Sequence, residues 1–343
     1  MAFVVNNQSA TLAVVNLADF RVTASIPVVP QPERVLARPG SRQLYVVSAT
    51  GKMNVVVYPH PRAIATLDLG RSAKDLTFSP DGRSAYVLNP TDRELIFLDC
   101  EAAKETSRVH LHDTLSDLAL APDGKTLIVA SPTSNQLTFL STQTHQLLST
   151  LEVGRAPGVM VVLPDSSEVF VADTDEETVS SASVAMQTLL SNIEIGTRPT
   201  ALLLKPDGGE IFVLSAHASS LVIVDAFHNN VEQTFPTGRD PVAGVFRRDS
   251  SVLYVANAGD GSVMALDVQN RAVLTSTHMG VEPRALALTP DERFLVVADS
   301  AASSLAVMHA DPQSLANKRS ALVTTVPVGA RPVDVVVPDW LEK

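Results

Sequence analysis

A small set of carboxylates, one imidazole and several guanidinium groups could do chemistry in this chain. The candidate ligand-binding residues are Arg34, Asp75, His112, Asp113, Asp117, Asp334, Arg198 and Arg331. An imidazole beside carboxylates can transfer protons, and a guanidinium group can hold a carboxylate, a phosphate or a developing oxyanion. If the protein is an enzyme, lactone opening or proton abstraction of the lactonase or lyase type is the chemistry expected. The residues that would carry it are His112, Asp117, Asp75 and Arg34.

The sequence lacks the residue patterns of several common catalytic, nucleotide-binding and metal-binding sites. The sequence contains no GxSxG, HExxH, Walker or GxGxxG pattern. Its single cysteine, Cys100, excludes an internal disulfide and a CxxC metal or redox site. His110 and His112 alternate along a predicted strand, but two histidines without further ligands do not make a zinc site. We therefore expect no bound metal and no cofactor.

Composition narrows the class of partner. The chain has 26 Lys and Arg against 37 Asp and Glu, a formal charge of −11, and 45% of its 343 residues are hydrophobic. The acidic balance argues against nucleic acid and anionic lipid as partners, and no apolar run approaches the ~20 residues of a membrane helix. No leader pattern is visible. We therefore expect a cytoplasmic location for the chain as given, and a periplasmic or extracellular one if a leader was removed.

The elements that must position these residues are revealed by an internal repeat. A turn typified by Pro80-Asp81-Gly82 begins at residues 39, 80, 122, 164, 206, 248 and 290, a spacing of 41 or 42. Four short apolar runs separated by turns fill each repeat, without any long helical period. One such sheet cannot bury both faces alone, whereas blades stacked around an axis can. The sequence thus predicts an all-β propeller of four-stranded antiparallel blades, whose fourth strand forms the outer edge.

The number of blades follows from counting runs. First-strand runs and second-strand runs each number eight if the run at Phe3 is included. The predicted fold is one eight-bladed domain over residues 1–343, with the ring closed by the C-terminal strand joining the N-terminal blade. Seven blades are the alternative.

The last repeat is longer than the others, and Asp311-Pro312 predicts a helical turn inserted there. Trp340 is expected to pack on the closing blade.

The runs Tyr45-Val46-Val47-Ser48, Tyr86-Val87-Leu88-Asn89 and Tyr254-Val255-Ala256-Asn257 resemble the YVTN repeat. That repeat marks surface-layer-type propellers of bacteria and archaea. The resemblance covers nearly the whole chain. It implies a cell-surface or periplasmic propeller that binds ligands or proteins, usually without known catalysis. The chain departs from known members in counting eight repeats rather than the common seven, and in showing no leader.

When the repeats are aligned, the residues at one equivalent position form a column. Because each repeat is a control for the others, a residue whose type differs from the rest of its column is a candidate site residue. Glycine recurs in the loop before the first strand, and His112 replaces it in one blade. One column of the predicted inner strand is charged over half of the ring. In blade order this column contains Asp334, Arg34, Asp75, Asp117, Val159, Ala201, Ala243 and Ala285. This half-ring is either a ligand site or an Arg–Asp ion-pair network with water.

Arginines also recur just after the glycine column. They are Arg71, Arg155, Arg198, Arg239 and Arg331. They are either a cationic crown for carboxylate or phosphate groups, or side chains that lock loops by hydrogen bonds. The acidic loop from Asp173 to Glu177 is either a metal or partner site or a solvated face.

Taken together, these features favour a non-enzymatic binding or scaffold propeller whose loop-rich top face holds a small-molecule ligand or a protein. The alternatives are a propeller enzyme with a site at the channel mouth and a structural surface-layer module. We expect a monomer.

Overall fold

The computed structural model describes residues 1–311 and 321–342. Over these residues the chain forms 32 β-strands, arranged as eight four-stranded antiparallel sheets, and one short 3₁₀ helix at Asp339–Glu342. The fold is an eight-bladed β-propeller, as predicted, and the alternative of seven blades is wrong. The expected helical turn after Asp311 lies outside the described residues. No helix in the described part of the chain is long and apolar enough to cross a membrane.

The blades group into two compact units, Met1–Asp68 with Thr237–Lys343 and Leu69–Pro236, here called the first and second unit. In the first unit, blade I contains β1 (Ala2–Asn6), β2 (Thr11–Asn16), β3 (Arg21–Pro27) and the last strand of the chain, β32 (Pro332–Val336). Blade II contains β4 (Pro32–Ala37), β5 (Gln43–Ser48), β6 (Lys52–Val57) and β7 (Arg62–Asp68).

The second unit contains the next four blades. Blade III is β8 (Asp75–Phe78), β9 (Ser84–Asn89), β10 (Glu94–Asp99) and β11 (Lys104–His110). Blade IV is β12 (Asp117–Leu120), β13 (Thr126–Ser131), β14 (Gln136–Ser141) and β15 (Leu147–Glu152). Blade V is β16 (Pro157–Val162), β17 (Glu168–Asp173), β18 (Thr178–Ser183) and β19 (Thr188–Glu194). Blade VI is β20 (Ala201–Leu204), β21 (Glu210–Ser215), β22 (Ser220–Asp225) and β23 (Asn230–Pro236).

The remaining two blades return to the first unit. Blade VII is β24 (Pro241–Phe246), β25 (Val252–Asn257), β26 (Ser262–Asp267) and β27 (Ala272–His278). Blade VIII is β28 (Pro283–Leu288), β29 (Phe294–Asp299), β30 (Ser304–His309) and β31 (Leu322–Pro327).

The C-terminal strand completes the N-terminal blade, as the count of runs predicts. Strand β32 pairs antiparallel with β1, with Val4 opposite Val335 and Val5 opposite Asp334. Blade I therefore has the order β3-β2-β1-β32, which ties both ends of the chain into one sheet.

The repeated turn that joins the first two strands of a blade has one backbone conformation. Its third residue, or the second in the copy that begins at Pro39, has a φ between 52° and 78° in all seven copies. Those residues are Gly40, Gly82, Gly124, Ser166, Gly208, Ser250 and Glu292. In the other six copies the preceding residue is an aspartate that accepts a hydrogen bond from a main-chain amide two residues on, as Asp81 does from Arg83 at 3.0 Å. Glycine tolerates this left-handed conformation best, which explains the Pro-Asp-Gly signal.

The core lies in the middle strands. Residues such as Phe170, Phe212 and Tyr254 are 0% exposed and pack between sheets, whereas the fourth strand of each blade is exposed at alternate positions. This pattern matches the predicted outer edge. Apolar burial between neighbouring sheets thus holds the blades and fixes the loops at their ends.

Candidate functional site

The glycine column is explained by contact with the polar residue that ends the second strand. A Cβ atom on Gly154 would overlap the Asp173 carboxyl group, and one on Gly280 would overlap that of Asp299. The column contains Val29, Gly70, His112, Gly154, Gly196, Gly238, Gly280 and Gly329. In the same blade order, the strand-end residues are Ser48, Asn89, Ser131, Asp173, Ser215, Asn257, Asp299 and Asn6.

These two columns vary together. All five blades with Asn or Asp at the strand end have glycine in the loop, and a Cβ on any of these glycines would overlap that side chain or its neighbour. The three blades with the smaller serine carry Val29, His112 and Gly196, and nothing lies within 4 Å of a Cβ built on Gly196. His112 therefore belongs to a blade whose second strand ends in a small residue, as Val29 does. Its departure from the column has a steric reason that needs no ligand.

The arginines after the glycine column fall into two positions. Arg71, Arg155 and Arg239 directly follow the glycine, and each meets an acid three residues beyond the end of the second strand. Arg155 donates from its main chain and from Nε to Glu176, at 3.1 and 2.8 Å. Arg71 binds Asp92 in the same way.

The five other blades have neither the arginine nor the acid. Their residue pairs at these two positions are Ala330–Ser9, Pro30–Gly51, Asp113–Ser134, Thr197–Ala218 and Val281–Ala302. Hydrogen bonds from Arg71 and Asn89 lower the pKa of Asp92 to about 2. Arg71 and Arg155 therefore lock loops, which is the second of the two roles considered for them. The acidic loop takes part in this arrangement through Glu176.

Arg198 and Arg331 occupy the next position, directly before a proline, and have no such acid partner. Among the described residues neither guanidinium group makes a hydrogen bond or ion pair. Arg198 lines a cavity of about 450 Å³ in the second unit, beside Glu194 and Asn192. Arg331 has a φ of +55° and lines a larger cavity of about 560 Å³ in the first unit.

The cavity of the first unit is built by the start of four inner strands and the loops beside them. The second residue of β4, β24, β28 and β32 contributes to its wall. The lining residues are Asn7, Gln31, Glu33, Val242, Arg284, Ser300, Arg331 and Val333. It therefore presents two guanidinium groups, one carboxylate, neutral donors and two apolar surfaces, and we call it the arginine cavity.

Hydrogen bonds fix the polar side chains around this cavity. Asn7 donates through Nδ2 to the carbonyl of Pro32 at 3.0 Å, and the Ser300 hydroxyl donates to the carbonyl of Pro332 at 2.5 Å. Arg284 forms an ion pair with Glu282. Arg331 is the cationic group left to bind an incoming anion, and Arg284 lies within the same wall.

Two carboxylates of the predicted charged half-ring accept hydrogen bonds from the main chain of a neighbouring inner strand. In the first unit, Asp334 accepts hydrogen bonds from the amides of Val35 and Val335, both at 2.9 Å. In the second unit, Asp117 accepts one from the amide of Met160 at 2.8 Å. Burial, and then the negative charge of Asp75, raise the pKa of Asp117 to about 7. These two carboxylates thus already have main-chain partners. Asp75 and Arg34 lie on β8 and β4, at the corresponding position.

His112 and Asp113 lie in the loop between β11 and β12. The His112 ring is 6.0 Å from that of His110, and its carbonyl accepts a hydrogen bond from Arg93. Within the described residues its ring has no hydrogen bond to Asp75 or Asp117. No group of three or more His, Cys, Asp or Glu side chains in the described part of the chain is placed to hold a metal ion.

The sequence did not predict one contact between a hydroxyl group and an imidazole ring. The Ser107 hydroxyl lies 2.6 Å from Nδ1 of His145, whose ring stacks on Phe97 beside a cavity of about 410 Å³. Such a pair can be a nucleophile and its base. However, the next blade repeats the contact, because Ser149 donates to Gln187 at 2.5 Å at the same two positions. The pair is a repeated link between blades rather than catalytic machinery.

Comparisons with known proteins agree with the fold. A family model described as "Lactonase, 7-bladed beta-propeller" matches residues 215–336, which include Val242, Arg284, Ser300, Arg331 and Val333. No curated protein sequence gives a significant match. The class that the chain represents is therefore the β-propeller, with a partial likeness to the lactonase model.

Three solved structures are similar to this chain in fold. A dihydro-heme d1 dehydrogenase NirN in complex with DHE has a TM-score of 0.84 at 14% identity, over 98% of this chain and 74% of that one. The hydrazine synthase of Kuenenia stuttgartiensis has a TM-score of 0.62 at 17% identity, over 76% and 87%. A functionally unknown protein from Desulfotomaculum acetoxidans DSM 771 has a TM-score of 0.68 at 16% identity, over 86% and 98%. At these identities the likeness shows the fold alone.

Proposed function

We propose that this protein is a non-enzymatic binding propeller whose arginine cavity holds a small organic anion with a carboxylate or phosphate group. The observation that carries the proposal is Arg331. Its guanidinium group lines a cavity of about 560 Å³ and has no protein partner in the described residues, unlike those of Arg71 and Arg155. A guanidinium group binds carboxylate and phosphate oxygens through paired hydrogen bonds, and Arg284 adds a second positive charge.

The remaining lining residues suit a ligand with both a polar and an apolar part. Val242 and Val333 offer apolar contact, while Asn7, Gln31 and Ser300 offer neutral polar groups. Most small-molecule sites combine such surfaces with a few charged groups that fix orientation. Glu33 supplies a negative charge that disfavours ligands carrying several negative charges close together.

The test is isothermal titration calorimetry with inorganic phosphate, citrate, gluconate and glucose 6-phosphate as probes. Hemin is added because the NirN structure is described as a complex with DHE. We expect at least one probe to bind, and Arg331→Ala to weaken its binding by roughly 10-fold or more. Arg71→Ala is the matched control, since it removes the same charge from a loop-locking position and should leave the affinity unchanged. Binding that survives Arg331→Ala would overturn the proposal.

The family-model match favours a second candidate function, lactone hydrolysis in the same cavity. In that reaction water adds to the lactone carbonyl and the ring C–O bond breaks. Glu33 is the carboxylate within the lining that could take the proton from water and return it to the ring oxygen as the C–O bond breaks, and Arg331 could stabilise the oxyanion. Hydrolysis of glucono-δ-lactone followed by pH-stat, with Glu33→Gln as the variant, tests this function. A rate equal to the uncatalysed one in the native protein eliminates it for that substrate.

A further inference from the structure

The outer hairpins of blades IV and V contain no charged residue. Each hairpin runs from the end of the third strand through most of the fourth, over residues 141–151 and 183–193, and neither segment has Asp, Glu, Lys or Arg. The corresponding segment of each of the six other blades has at least one, such as Arg62 in blade II and Glu232 in blade VI. Charges on an edge strand discourage the approach of another chain. Blades IV and V therefore lack a protection that every other blade has.

A β-bulge makes this uncharged surface apolar. In every blade the pairing of the third strand with the fourth skips one residue, which is Leu148 in blade IV and Leu190 in blade V. Consecutive residues of a regular strand point to opposite faces, and a bulge interrupts this alternation. Leu147 and Leu148 are accordingly both exposed, by 53 and 47%, as are Leu189 and Leu190, by 38 and 43%. Two neighbouring blades thus each present a pair of leucines to solvent.

The two leucine pairs belong to one surface. Cα atoms of β19 approach those of β15 to within 8 Å. The hydroxyl group of Ser149, directly after the first pair, donates a hydrogen bond to Gln187, two residues before the second pair. Met186, the residue before Gln187, is 69% exposed. We call the set of Leu147, Leu148, Met186, Leu189 and Leu190 the leucine patch.

The leucine patch has the size and the surroundings of the centre of a protein interface. With about 200 Å² of surface for a large apolar side chain, its five residues expose on the order of 500 Å². A standard interface takes about 800 Å² from each partner and surrounds an apolar centre with a polar rim. Exposed, uncharged polar residues flank the patch along the two hairpins, namely Gln143, Thr144, Gln146, Thr150, Thr188 and Asn192. The patch and this rim together approach the area that a stable dimer needs.

Charge selects a second copy of this chain as the partner. The chain has a formal charge of −11, so two copies repel each other wherever their acidic surfaces meet. At the leucine patch they can approach without bringing like charges together. The patch offers no opposite charge to a charged partner and no basic residue to an anionic membrane. The same patch on a second copy is apolar, uncharged and equal in size, which suits a two-fold contact.

We propose that the leucine patch is the interface of a homodimer, in which the outer strands of blades IV and V of two copies face each other across a two-fold axis. Side chains make the contact, because the bulges turn these strand edges away from main-chain pairing. The dimer replaces the monomer expected from the sequence, in which the exposure of these leucines is not visible. It shares no residue with the arginine cavity and does not depend on the proposed ligand.

Sedimentation velocity of the full chain at ~1–100 µM tests the proposal. We expect a species of twice the chain mass at the highest concentration. The double variant Leu148→Glu with Leu190→Glu should weaken association ~100-fold or more, because the interface would bring four carboxylates together. Blade VI already has Glu232 at this bulge position, so the double variant should fold, and circular dichroism verifies this.

Ile64→Glu is the matched control, because Ile64 is the bulge residue of blade II and is 46% exposed. It should leave association unchanged. Added NaCl should strengthen the native dimer, since salt screens the repulsion between two acidic copies, whereas it would weaken an interface held by ion pairs.

A native chain that stays monomeric at the highest concentration would overturn the proposal. So would a double variant that associates like the native chain, or an equal loss in Ile64→Glu. Flotation with phosphatidylcholine vesicles identifies the other possible occupant. If the native chain is a monomer that binds the vesicles, and the double variant does not bind, the leucine patch contacts a membrane surface and not a second copy.

Discussion

The carboxyl group of Asp299 occupies the space that a side chain on Gly280 would need. Its two oxygens accept hydrogen bonds from the amides of Val281 and Glu282, at 2.7 and 2.9 Å. The loop between two blades is therefore folded around the last residue of a strand. The same overlap recurs in all five blades whose second strand ends in Asn or Asp, so the glycine of those blades is a steric consequence of the strand-end residue.

We expect Gly280→Ala to destabilise the protein by about 1–3 kcal/mol, because the added methyl group overlaps the Asp299 carboxyl group. Gly280 does not have a positive φ, so the cost is steric rather than conformational. Urea unfolding followed by circular dichroism gives the free energy of unfolding. Asp299→Ser should relieve the overlap, and the double variant should show a favourable coupling of about 0.5–3 kcal/mol.

The reciprocal change uses blade IV. Ser131→Asn should be destabilising while His112 is present and should be tolerated together with His112→Gly, since this creates the Gly–Asn combination found in three other blades. Additive effects of the two substitutions would show that the two columns are not coupled. The histidine would then require a different explanation, and a ligand would return as the leading one.

Asp117 should make the protein less stable as the pH rises from about 4 to 7. Its pKa is raised to about 7 in the folded protein, mainly by burial, whereas an aspartate in an unfolded chain has a pKa of about 3.9. Between these values the folded state binds more protons than the unfolded state, so stability falls with increasing pH and becomes level above the folded pKa. Urea unfolding at a series of pH values measures this dependence.

In Asp117→Asn most of that fall should disappear, and the variant should be more stable than the native protein at pH 8 by on the order of 1–3 kcal/mol. A smaller fall remains, because burial also raises the pKa of Asp173, to about 6. Asp19→Asn changes an exposed carboxylate and serves as the control that should follow the native curve. A native protein whose stability rises between pH 5 and 7 would contradict the assignment.

Ser250→Gly should stabilise the protein by about 0.5–1 kcal/mol. Ser250 has a φ of +59°, at the position where four of the seven repeated turns have glycine. Its side chain makes no hydrogen bond in the described part of the chain, so only the strain of a left-handed backbone is removed. Gly40→Ala is the opposite change at a turn where nothing lies within 4 Å of the new Cβ, and should cost about 1 kcal/mol. Thermal unfolding measures both, and shifts of the same sign would refute the shared cause.

The blades could be predicted from sequence because their signal is local. The turn needs a residue in the left-handed backbone conformation after Pro-Asp, and the buried strands need short apolar runs. Each repeat can therefore be recognised from a few consecutive residues. The pairing of β32 with β1 followed from counting, since one strand was missing at one end and in excess at the other.

The site was harder to predict because it depends on contacts between columns. His112 departs from its own column in a blade whose second strand ends in the small residue Ser131, and this pairing appears only when two columns are compared. The arginines after the glycine column looked alike until their acid partners separated Arg71 and Arg155 from Arg331. Glu33 and Arg284 were missed because they lie one residue before the inner-strand column considered. A comparison of that preceding position among the repeats would have shown both as charged departures.

The single tryptophan offers a test of how the closing strand holds blade I. The Trp340 ring lies 5.5 Å from that of Tyr58 and 6.1 Å from that of Phe3, as expected for packing on the closing blade. Because β32 pairs with β1 and buries Val335 to 6% exposure, we expect the strand to leave only when the sheets unfold. Tryptophan fluorescence and circular dichroism should therefore have the same midpoint in urea.

Val335→Asp should lower both midpoints together, because it places a charge in the apolar cluster beneath β32. Phe227→Ser removes a side chain that is 73% exposed and should leave both midpoints nearly unchanged. If fluorescence changes at a lower urea concentration than circular dichroism, β32 detaches before the other sheets unfold. Joining the two ends of the chain in one sheet would then contribute little to the stability of the propeller.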